Sequence, residues 1–411
     1  MQVVYKRCSG LDVHKDTVVA CVLIREGGPV QKEIRTFPTM TSDLLILHDW
    51  LLAQGVTHIA MESTGVYWKP IFNLLEGSFE ILLVNAAHIK TVPGRKTDVK
   101  DCEWIADLLS HGLLKGSFIP PESVRDLRDL TRYRKSLIDE RIRETNRLQK
   151  LLESANIKLS SVASDVLGVS GKAMLEALIS GKSDPRVLAD LARGKLRKKL
   201  PLLREALHGR FRAHHQFLLA QILSHLDFLD EAIEQMSQEV KNRIAPFSKP
   251  IELLKTIPGV DQKTAELVVS EIGLDMSRFP THRHLASWAG LCPGNNESAG
   301  KRKNGKTRKG DRWLKRGLME SSWAIGRTQD TYLSALYHRM ARRRGKKKAV
   351  VAVAHTMLVI IYHMLKHQLE YHELGADYFD RLNLTYIKNN FVKRLEGLGF
   401  KVTLEPLQFA A

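Results

Sequence analysis

The chain has 411 residues, with 63 Lys and Arg against 45 Asp and Glu and a net charge of +18. Its length predicts about two to four domains and excludes a small single module, and its 44% of hydrophobic residues excludes wholesale disorder. The excess of basic residues indicates a polyanionic partner, for which nucleic acid is the usual candidate. Small acidic substrates would not need so much positive charge.

The four cysteines are scattered without zinc-ligand spacing, which favours a reduced, cytoplasmic chain. No apolar segment follows the charges near the N-terminus, so we expect no signal peptide. The most apolar stretch, 349–365, is shorter than the roughly 20 residues that span a bilayer and is predicted to be a buried helix. We therefore expect no membrane partner, with surface attachment through the preceding basic run as the minor alternative.

Charge is distributed unevenly along the chain. Residues 1–115 carry 12 Lys and Arg and 13 Asp and Glu, whereas residues 301–348 carry 17 and 3. The surface that attracts a polyanion is therefore predicted to lie apart from the N-terminal domain.

The first 115 residues alternate between strand and helix patterns. Gly27-Gly28 indicates a turn between the second and third strands, so the first three strands are predicted to form a meander. Such a meander feeding parallel crossovers gives a mixed sheet flanked by helices, the layout of ribonuclease-H-like folds. The predicted strands are 8–13, 17–24, 29–37, 58–61 and 79–84, and the predicted helices are 41–53, 66–75 and 98–110.

The rest of the chain is predicted to be mainly helical, with long helices over 123–153 and 204–243. The second carries a heptad seam that could pack against the first helix or against a partner chain, and the sequence does not favour either. Shorter helices and loops are predicted over 168–200, and a globular segment over 251–344. The seam consists of His215, Leu219, Ile222, Leu226, Leu229, Ile233, Met236 and Val240.

Carboxylates follow the predicted strands in a pattern that suits a metal site. Asp12 ends the first strand and Glu62 the fourth, while Asp98 and Asp101 are three residues apart and share a helix face. Carboxylates that converge would repel each other unless they held a hard cation such as Mg²⁺, or Mn²⁺ in its place. A two-ion site of this kind can cleave a phosphodiester. The alternative for each residue alone is an ordinary surface or capping acid.

The segment 254–265, which contains Ile257-Pro258-Gly259-Val260, has the form of a tight hairpin between two helices. Free backbone N–H groups at the start of the second helix could bind a DNA or RNA phosphate without reading sequence. Pro-Gly also begins ordinary turns, so the pattern is only partly specific.

Ser298 lies in a loop rich in glycine and asparagine, directly before a dense run of positive charge. A serine hydroxyl can attack a phosphodiester where cations stabilise the charge that builds on phosphorus, although most loop serines are structural. The density of the basic run favours contact with phosphate over a merely solvated surface. The predicted nucleic-acid-binding residues are Lys301, Arg302, Lys303, Lys306, Arg308, Lys309, Arg312, Lys315 and Arg316.

Two sets of motifs together resemble the DEDD transposases of the Piv invertase and IS-one-ten insertion-sequence family. The first set is Gly10-Leu11-Asp12-Val13-His14-Lys15, Glu62-Ser63-Thr64-Gly65 with Tyr67-Trp68, and Asp98 with Asp101. The second set is Ile257-Pro258-Gly259-Val260, Gly290-Leu291-Cys292-Pro293, Ser298-Ala299-Gly300 and Lys309-Gly310. Both sets occur in the family's order, and the resemblance covers about residues 8 to 365.

The resemblance implies an α/β RuvC-like (ribonuclease-H-like) N-terminal domain, an α-helical coiled coil and a mainly α-helical transposase domain. The corresponding boundaries are 1–115 for the catalytic domain, 116–250 for the coiled coil, 251–348 for the transposase domain and 349–411 for an apolar helix and tail. Asp12, Glu62, Asp98 and Asp101 would bind the metal and Ser298 would be the nucleophile. Family members recombine DNA through a phosphoserine as dimers or tetramers, and several use a structured bridge RNA.

The sequence departs from the family at two points. Cys102 stands where the family often has Ala, and Asp261 replaces the second Gly of the hairpin, which weakens the case for phosphate contact there. The leading hypothesis is an RNA-guided DNA transposase of the prokaryotic cytoplasm, associated with the nucleoid. The alternatives are a site-specific invertase or junction nuclease that uses only the carboxylates, and a nucleic-acid-binding structural protein with a decayed site.

Overall fold

The structure, a computed structural model, describes residues 2–63, 65–85, 101–294 and 296–405. The chain divides into two compact units, Met1–Ile119 and Pro120–Ala411. The first unit is α/β and the second is almost wholly helical. The further division of residues 116–411 into three domains stays a prediction.

The first unit is built on a five-stranded mixed sheet with the strand order β3-β2-β1-β4-β5. Its first three strands form the expected antiparallel meander, and β4 and β5 then add in parallel to β1. Gly27, in the β2–β3 turn, has φ 63°, a conformation that glycine adopts without strain. The strands are β1 Arg7–Val13, β2 Thr17–Ile24, β3 Gln31–Pro38, β4 His58–Glu62 and β5 Glu80–Val84.

Helices cover both faces of this sheet, because its central strands are apolar on both sides. The first face packs Leu11, Ile59 and Met61 against α1, Thr41–Ala53, and α2, Trp68–Leu75. The opposite face packs Cys8 and Ala60 against α3, Asp101–Ser110. The mixed sheet predicted from the sequence is confirmed, and Asp98 lies outside the described residues.

Two long helices form the frame of the second unit, α4, Glu122–Ser154, and α9, Ala213–Ile244. They pack against each other within the chain, and Arg141 of α4 pairs with Asp230 of α9. Several seam residues of α9 are buried, among them Leu219, Leu226 and Leu229. The heptad seam therefore has a partner inside its own chain, and a coiled coil as such stays a prediction.

Residues 155–212 form a small helical lobe between α4 and α9. Its apolar side chains share one core with Leu148 and Leu152 of α4 and with Leu219 and Leu223 of α9. The short helices and loops predicted from the sequence are present. They are α5 Leu159–Val162, α6 Val169–Ile179, α7 Pro185–Asp190, the 3₁₀ segment Gly194–Lys199 and α8 Leu200–Ala206.

The chain then forms a helical globule around one apolar helix, Lys346–His367. This helix is long and apolar enough to cross a membrane, yet it packs against three other helices of the globule, His282–Trp288, Arg312–Ile325 and Tyr332–Arg344. It buries a row of residues that includes Val353, Met357 and Ile361. The prediction of a buried helix is confirmed. The elements are α10 Ser248–Lys255, α11 Gln262–Ile272, α12 His282–Trp288, β6 Asn296–Ser298, β7 Lys301–Asn304, α13 Arg312–Ile325, α14 Tyr332–Arg344 and α15 Lys346–His367, with 3₁₀ turns at Ala245–Phe247 and Met276–Arg278.

Two further helices follow in the tail, α16, Tyr378–Leu382, and α17, Leu384–Glu396. Neither has a buried residue. The first part of the tail is hydrogen-bonded to the globule. The Glu373 carboxylate accepts the backbone N–H of Tyr332 at 2.7 Å. The tail thus lies beside the N-terminal end of α14.

Candidate active site

Two of the predicted carboxylates stand at the ends of neighbouring parallel strands. The β1–β4 register pairs Gly10 with Ala60 and Leu11 with Met61, so Asp12 and Glu62 occupy the next matching positions. Alternate residues of a strand share a face, which puts Asp12 with Gly10 and Glu62 with Ala60 on the face covered by α3. The sheet therefore brings both carboxylates to one edge and one face.

The close approach of α3 to β1 depends on Gly10. A Cβ at this position would lie 2.2 Å from the backbone oxygen of Cys102 and 2.4 Å from the backbone nitrogen of Ala106, so any side chain would displace the helix. Asp101 is the first residue of α3 and directly precedes Cys102, whose carbonyl lies against Gly10, so the start of α3 lies close to the strand that carries Asp12. The glycine of the Gly10-Leu11-Asp12 motif is thus required for α3 to pack closely against β1.

The oxygen donors of this edge suit a hard cation such as Mg²⁺. The site is incomplete within the described part of the chain, where no group of three or more His, Cys, Asp or Glu side chains is close enough to hold a metal. The sheet register aligns Asp12 with Glu62, and Asp101 is exposed at the start of α3. Asp98, the fourth predicted ligand, lies outside the described residues.

His14 is a neighbour of Asp12 that the sequence reasoning quoted but gave no role. Its Nε2 lies 3.2 Å from Oδ2 of Asp12, and its ring is largely exposed. The backbone N–H of His14 donates to the carbonyl of Thr17 across the tight β1–β2 turn, which places the ring beside the strand end. His14 therefore contacts one carboxylate oxygen of Asp12, a predicted metal ligand.

Ser298 lies on a two-stranded hairpin in the second unit. It is the last residue of β6 and pairs directly with Lys301, the first residue of β7, so Ala299 and Gly300 form the turn. Both turn residues have positive φ, 51° and 71°, as in the tight turns that connect hairpin strands. Positive φ strains an alanine, and such strain is typical of functional segments. The hairpin places the Ser298 backbone next to its tip.

The base of this hairpin is closed by two glycines in backbone contact. A Cβ on Gly310 would lie 2.3 Å from the backbone nitrogen of Gly290, and one on Gly290 would lie 2.8 Å from the carbonyl of Arg308. The N–H of Asp311 donates to the carbonyl of Trp288 at 3.2 Å, just outside this crossing. Substitution of either glycine would force the two arms of the loop apart.

Lys315 stabilises the same crossing from one side. Its ammonium donates to the carbonyl of Gly290 at 2.9 Å and to the Thr307 hydroxyl at 2.7 Å, so it bonds both arms of the hairpin. Burial lowers the pKa of Lys315. The sequence placed this lysine among the phosphate-contacting residues. Two of its three N–H donors bind within the protein, so it holds the hairpin, and a phosphate contact by Lys315 stays a prediction.

We expect Lys315→Met to open the base of the hairpin, because both hydrogen bonds are lost and a half-buried carbonyl is left without its donor, at a cost of about 1–3 kcal/mol. Limited trypsin digestion, which cleaves after the basic residues of the hairpin, should therefore become at least about fivefold faster between residues 301 and 309. Lys347→Met, at an exposed lysine of α15, is the matched control. Equal cleavage rates in the two variants would refute this role for Lys315.

A network of ion pairs connects the hairpin region to α4. Arg132 binds Glu271 of α11 with two hydrogen bonds of 2.7 Å and reaches Asp311 at 2.9 Å. Asp311 in turn caps α13 by accepting the N–H groups of Trp313 and Leu314. Removing Arg132 would leave the buried Glu271 carboxylate with only its 3.2 Å ion pair to Arg128. The sequence reasoning missed this network, whose one signal is an acid, Glu271, within the apolar stretch of α11.

The predicted phosphate-binding hairpin forms between α10 and α11, with Gly259 at φ 80° packed against Ile325. The helix start is not free, however. The Asp261 carboxylate caps α11 by accepting the N–H of Thr264 at 2.8 Å. A carboxylate at this position uses one of the donors that a phosphate would need and repels an anion, so it weakens the case for phosphate binding at the start of α11, which stays a prediction.

The other predicted nucleic-acid-binding residues lie around the serine hairpin. Five of them are exposed: Lys301, Lys306, Arg308, Lys309 and Arg312. The side chains of Arg302 and Lys303 are not among those that the structure describes. Arg316 is exposed but engaged, because its guanidinium binds Asp139 and Glu320. The exposed residues remain predicted phosphate contacts. Arg316 would have to leave Asp139 and Glu320 in order to contact a phosphate.

The mixed sheet with carboxylates at its strand ends is consistent with a RuvC-like DEDD domain, and the comparison of sequences names the family. Residues 9–157 match the DEDD transposase family of IS110 elements, and residues 251–338 match the transposase IS116/IS110/IS902 family. The chain belongs to this family of insertion-sequence transposases, and it is an enzyme that cleaves and rejoins DNA.

Individual relatives agree with this assignment. The uncharacterized 43.6 kDa protein of insertion element IS110 from Streptomyces coelicolor is 27% identical, over 67% of this chain and 72% of its own. The transposase of insertion sequence element IS1328 from Yersinia enterocolitica is 24% identical, over 64% and 69%. The uncharacterized 44.8 kDa protein of insertion element IS116 from Streptomyces clavuligerus is 26% identical, over 70% and 78%.

Proposed function

We propose that this transposase excises and inserts its element by metal-dependent strand cleavage and a phosphoserine intermediate, guided by a structured RNA. The observation that carries the proposal is the register of β1 and β4, which aligns Asp12 with Glu62 below the start of α3. The position of Ser298 beside the turn of a hairpin with exposed cations supports the second half of the chemistry. We place the enzyme in the prokaryotic cytoplasm, with the nucleoid.

Asp12, Glu62, Asp98 and Asp101 would hold Mg²⁺, with Mn²⁺ as the substitute. When bound, such ions activate an attacking oxygen and stabilise the leaving oxygen of a phosphodiester. The carboxylates themselves set the charge of the site, and His14 contacts one oxygen of Asp12. His14 would have to leave that oxygen for Asp12 to bind an ion through it.

Ser298 is the proposed nucleophile. Its Oγ attacks a DNA phosphorus, and the Oγ–P bond forms as one P–O bond of the backbone breaks. The strand is then held as a phosphoserine ester until a hydroxyl of the second strand displaces the serine and reseals the backbone. The exposed cations of the hairpin stabilise the charge that develops on phosphorus. This chemistry conserves the energy of the phosphodiester.

We propose a dimer or tetramer in which the carboxylates and Ser298 of different subunits cooperate, as the resemblance to the family implies. DNA, as element ends and target, is one partner, and a structured guide RNA is the other. The net charge of +18, concentrated after Ser298, supports binding of nucleic acid in this part of the chain.

The guide RNA can be tested by purifying the protein from a host that carries its element and sequencing any bound RNA. We expect one structured RNA encoded by the element, and we expect purified protein to recombine DNA only when that RNA is added back. Recombination of element ends by RNA-free protein would instead favour a site-specific invertase that reads DNA by itself.

A further inference from the structure

A groove of about 780 Å³ lies between α14 and the tail, and none of its lining residues belongs to the serine hairpin. One wall is a face of α14 and the other is formed by α16 and α17. Its volume falls in the range of roughly 300–1,000 Å³ that is typical of pockets for small ligands or parts of larger ones. The tail had no assigned role in the sequence.

The α14 wall is a stripe of one histidine and three arginines. His338, Arg339, Arg342 and Arg343 all line the groove, at spacings of one, three and one, which puts them on one side of the helix. All four are exposed, and Arg342 and Arg343 form no ion pair with the described residues. The basic run continues beyond the groove through Arg344 and into α15. Unpaired guanidinium groups side by side are the usual donors to a phosphate.

The tail contributes aromatic rings to the opposite wall. Phe379 lies under the guanidinium of Arg339 at 5.1 Å and stacks on Tyr332 with ring centroids 5.4 Å apart. Tyr386 on α17 is 71% exposed although it lines the groove. Asn390, one helical turn further along, lines the groove as well. An exposed tyrosine beside arginines offers a flat surface on which a base can stack.

Two carboxylates also line the groove, Asp330 before α14 and Asp380 on α16. Their presence argues against a site for a bare phosphate, since they would repel it. They suit a ligand that carries both an anionic backbone and N–H donors, because Asp and Asn side chains accept hydrogen bonds from the amino groups of bases. The arginines therefore suit the phosphates, the tyrosine suits the face of the base, and the Asp and Asn side chains suit its edge.

We propose that this groove binds an unpaired nucleotide within a single strand of nucleic acid, with the phosphates along Arg342 and Arg343 and the base against Tyr386. A duplex does not fit this chemistry, because its bases are stacked on each other and their faces are closed to a tyrosine. Single-stranded RNA and single-stranded DNA share the chemistry. The inference does not depend on the proposed cleavage reaction.

The test is fluorescence anisotropy of the full-length protein with labelled single-stranded RNA and DNA of mixed sequence and with duplex DNA of the same length, without divalent metal. Salt is raised until non-specific phosphate binding is weak. We expect Tyr386→Ala to weaken single-strand binding at least about fivefold and to leave duplex binding unchanged. Arg342→Ala should weaken single-strand binding similarly, whereas Arg344→Ala, which removes the same charge outside the groove, should have a smaller effect.

The relative affinity of RNA and DNA identifies which strand the groove takes, and either preference supports the proposal. Parent-like single-strand binding by both Tyr386→Ala and Arg342→Ala would overturn it, as would equal losses for single strand and duplex. Photocrosslinking of a thio-substituted oligonucleotide gives a second measurement on the unaltered protein. The crosslink should map to residues 378–390, and its absence there would also contradict the proposal. No cleavage is measured, so the result is independent of the proposed catalytic chemistry.

Discussion

Replacing Ser298 with alanine is expected to abolish strand transfer and the covalent protein–DNA adduct while leaving the protein folded. The hydroxyl is the proposed attacking group, and alanine has no oxygen with which to form the ester. Removal of a nucleophile typically lowers the rate by several orders of magnitude, so we expect the rate of strand transfer to fall by at least about 10³-fold. The adduct is measured on a denaturing gel with labelled element ends.

A control is available close to the same hairpin. Ser287, near the end of α12, is exposed, and its backbone carbonyl accepts the N–H of Gly290. Ser287→Ala should therefore form the adduct at the parental rate. Cleavage and joining by Ser298→Ala at that rate would mean that the carboxylates act alone, as in a junction nuclease.

The second large effect is expected for Asp12→Asn. The substitution preserves shape but removes the negative charge at the end of β1, next to the register position of Glu62. We expect the metal-dependent cleavage rate to fall by at least about 10²–10³, since loss of one electrostatic contact to a transition state has effects of this size. DNA affinity should change little, because the predicted phosphate contacts are elsewhere in the chain. Cleavage of labelled DNA over a range of Mg²⁺ concentrations measures the effect.

Asp16→Asn is the matched control for this variant. Asp16 lies in the β1–β2 turn, four residues after Asp12, and is exposed. Its replacement by asparagine removes the same charge as Asp12→Asn. It should retain parental cleavage. A comparable loss in both variants would point to the total charge of the strand end instead of a specific role of Asp12.

The sheet and its carboxylates could be predicted because their signals are local. Alternation of apolar residues gives the strands, the turn at Gly27-Gly28 gives the meander, and parallel addition of β4 to β1 follows from the crossover connection. With both strands placed, the ends at Asp12 and Glu62 are fixed by the register. The fourth acid, Asp98, lies outside the described residues and stays a prediction.

The roles of individual cations could not be predicted, because they depend on contacts distant in sequence. Lys315 looks like its basic neighbours until the fold brings Gly290, 25 positions earlier, to its ammonium group. Arg316 likewise meets Asp139, which is 177 positions away. Charge density along the chain indicates a nucleic-acid-binding surface, but it does not tell a phosphate contact from an internal ion pair.

The capping role of Asp261, by contrast, was within reach of sequence reasoning. An aspartate followed by a helical pattern is a common N-cap, and the N–H of Thr264 is the donor such a cap would accept. The resemblance of Ile257-Pro258-Gly259-Val260 to the family's hairpin favoured phosphate binding as the interpretation of this segment instead. The groove beside α14 could not be foreseen, because it requires the tail to fold back on a helix whose stripe is otherwise an ordinary basic surface.

The central claim is that Ser298 becomes covalently attached to DNA, and the most direct measurement identifies the attachment site. The adduct formed with element ends is purified under denaturing conditions and digested with nuclease and protease, and the linked peptide is sequenced by mass spectrometry. We predict a phosphodiester remnant on Ser298. Attachment to any other residue, or efficient cleavage without any adduct, would contradict the account.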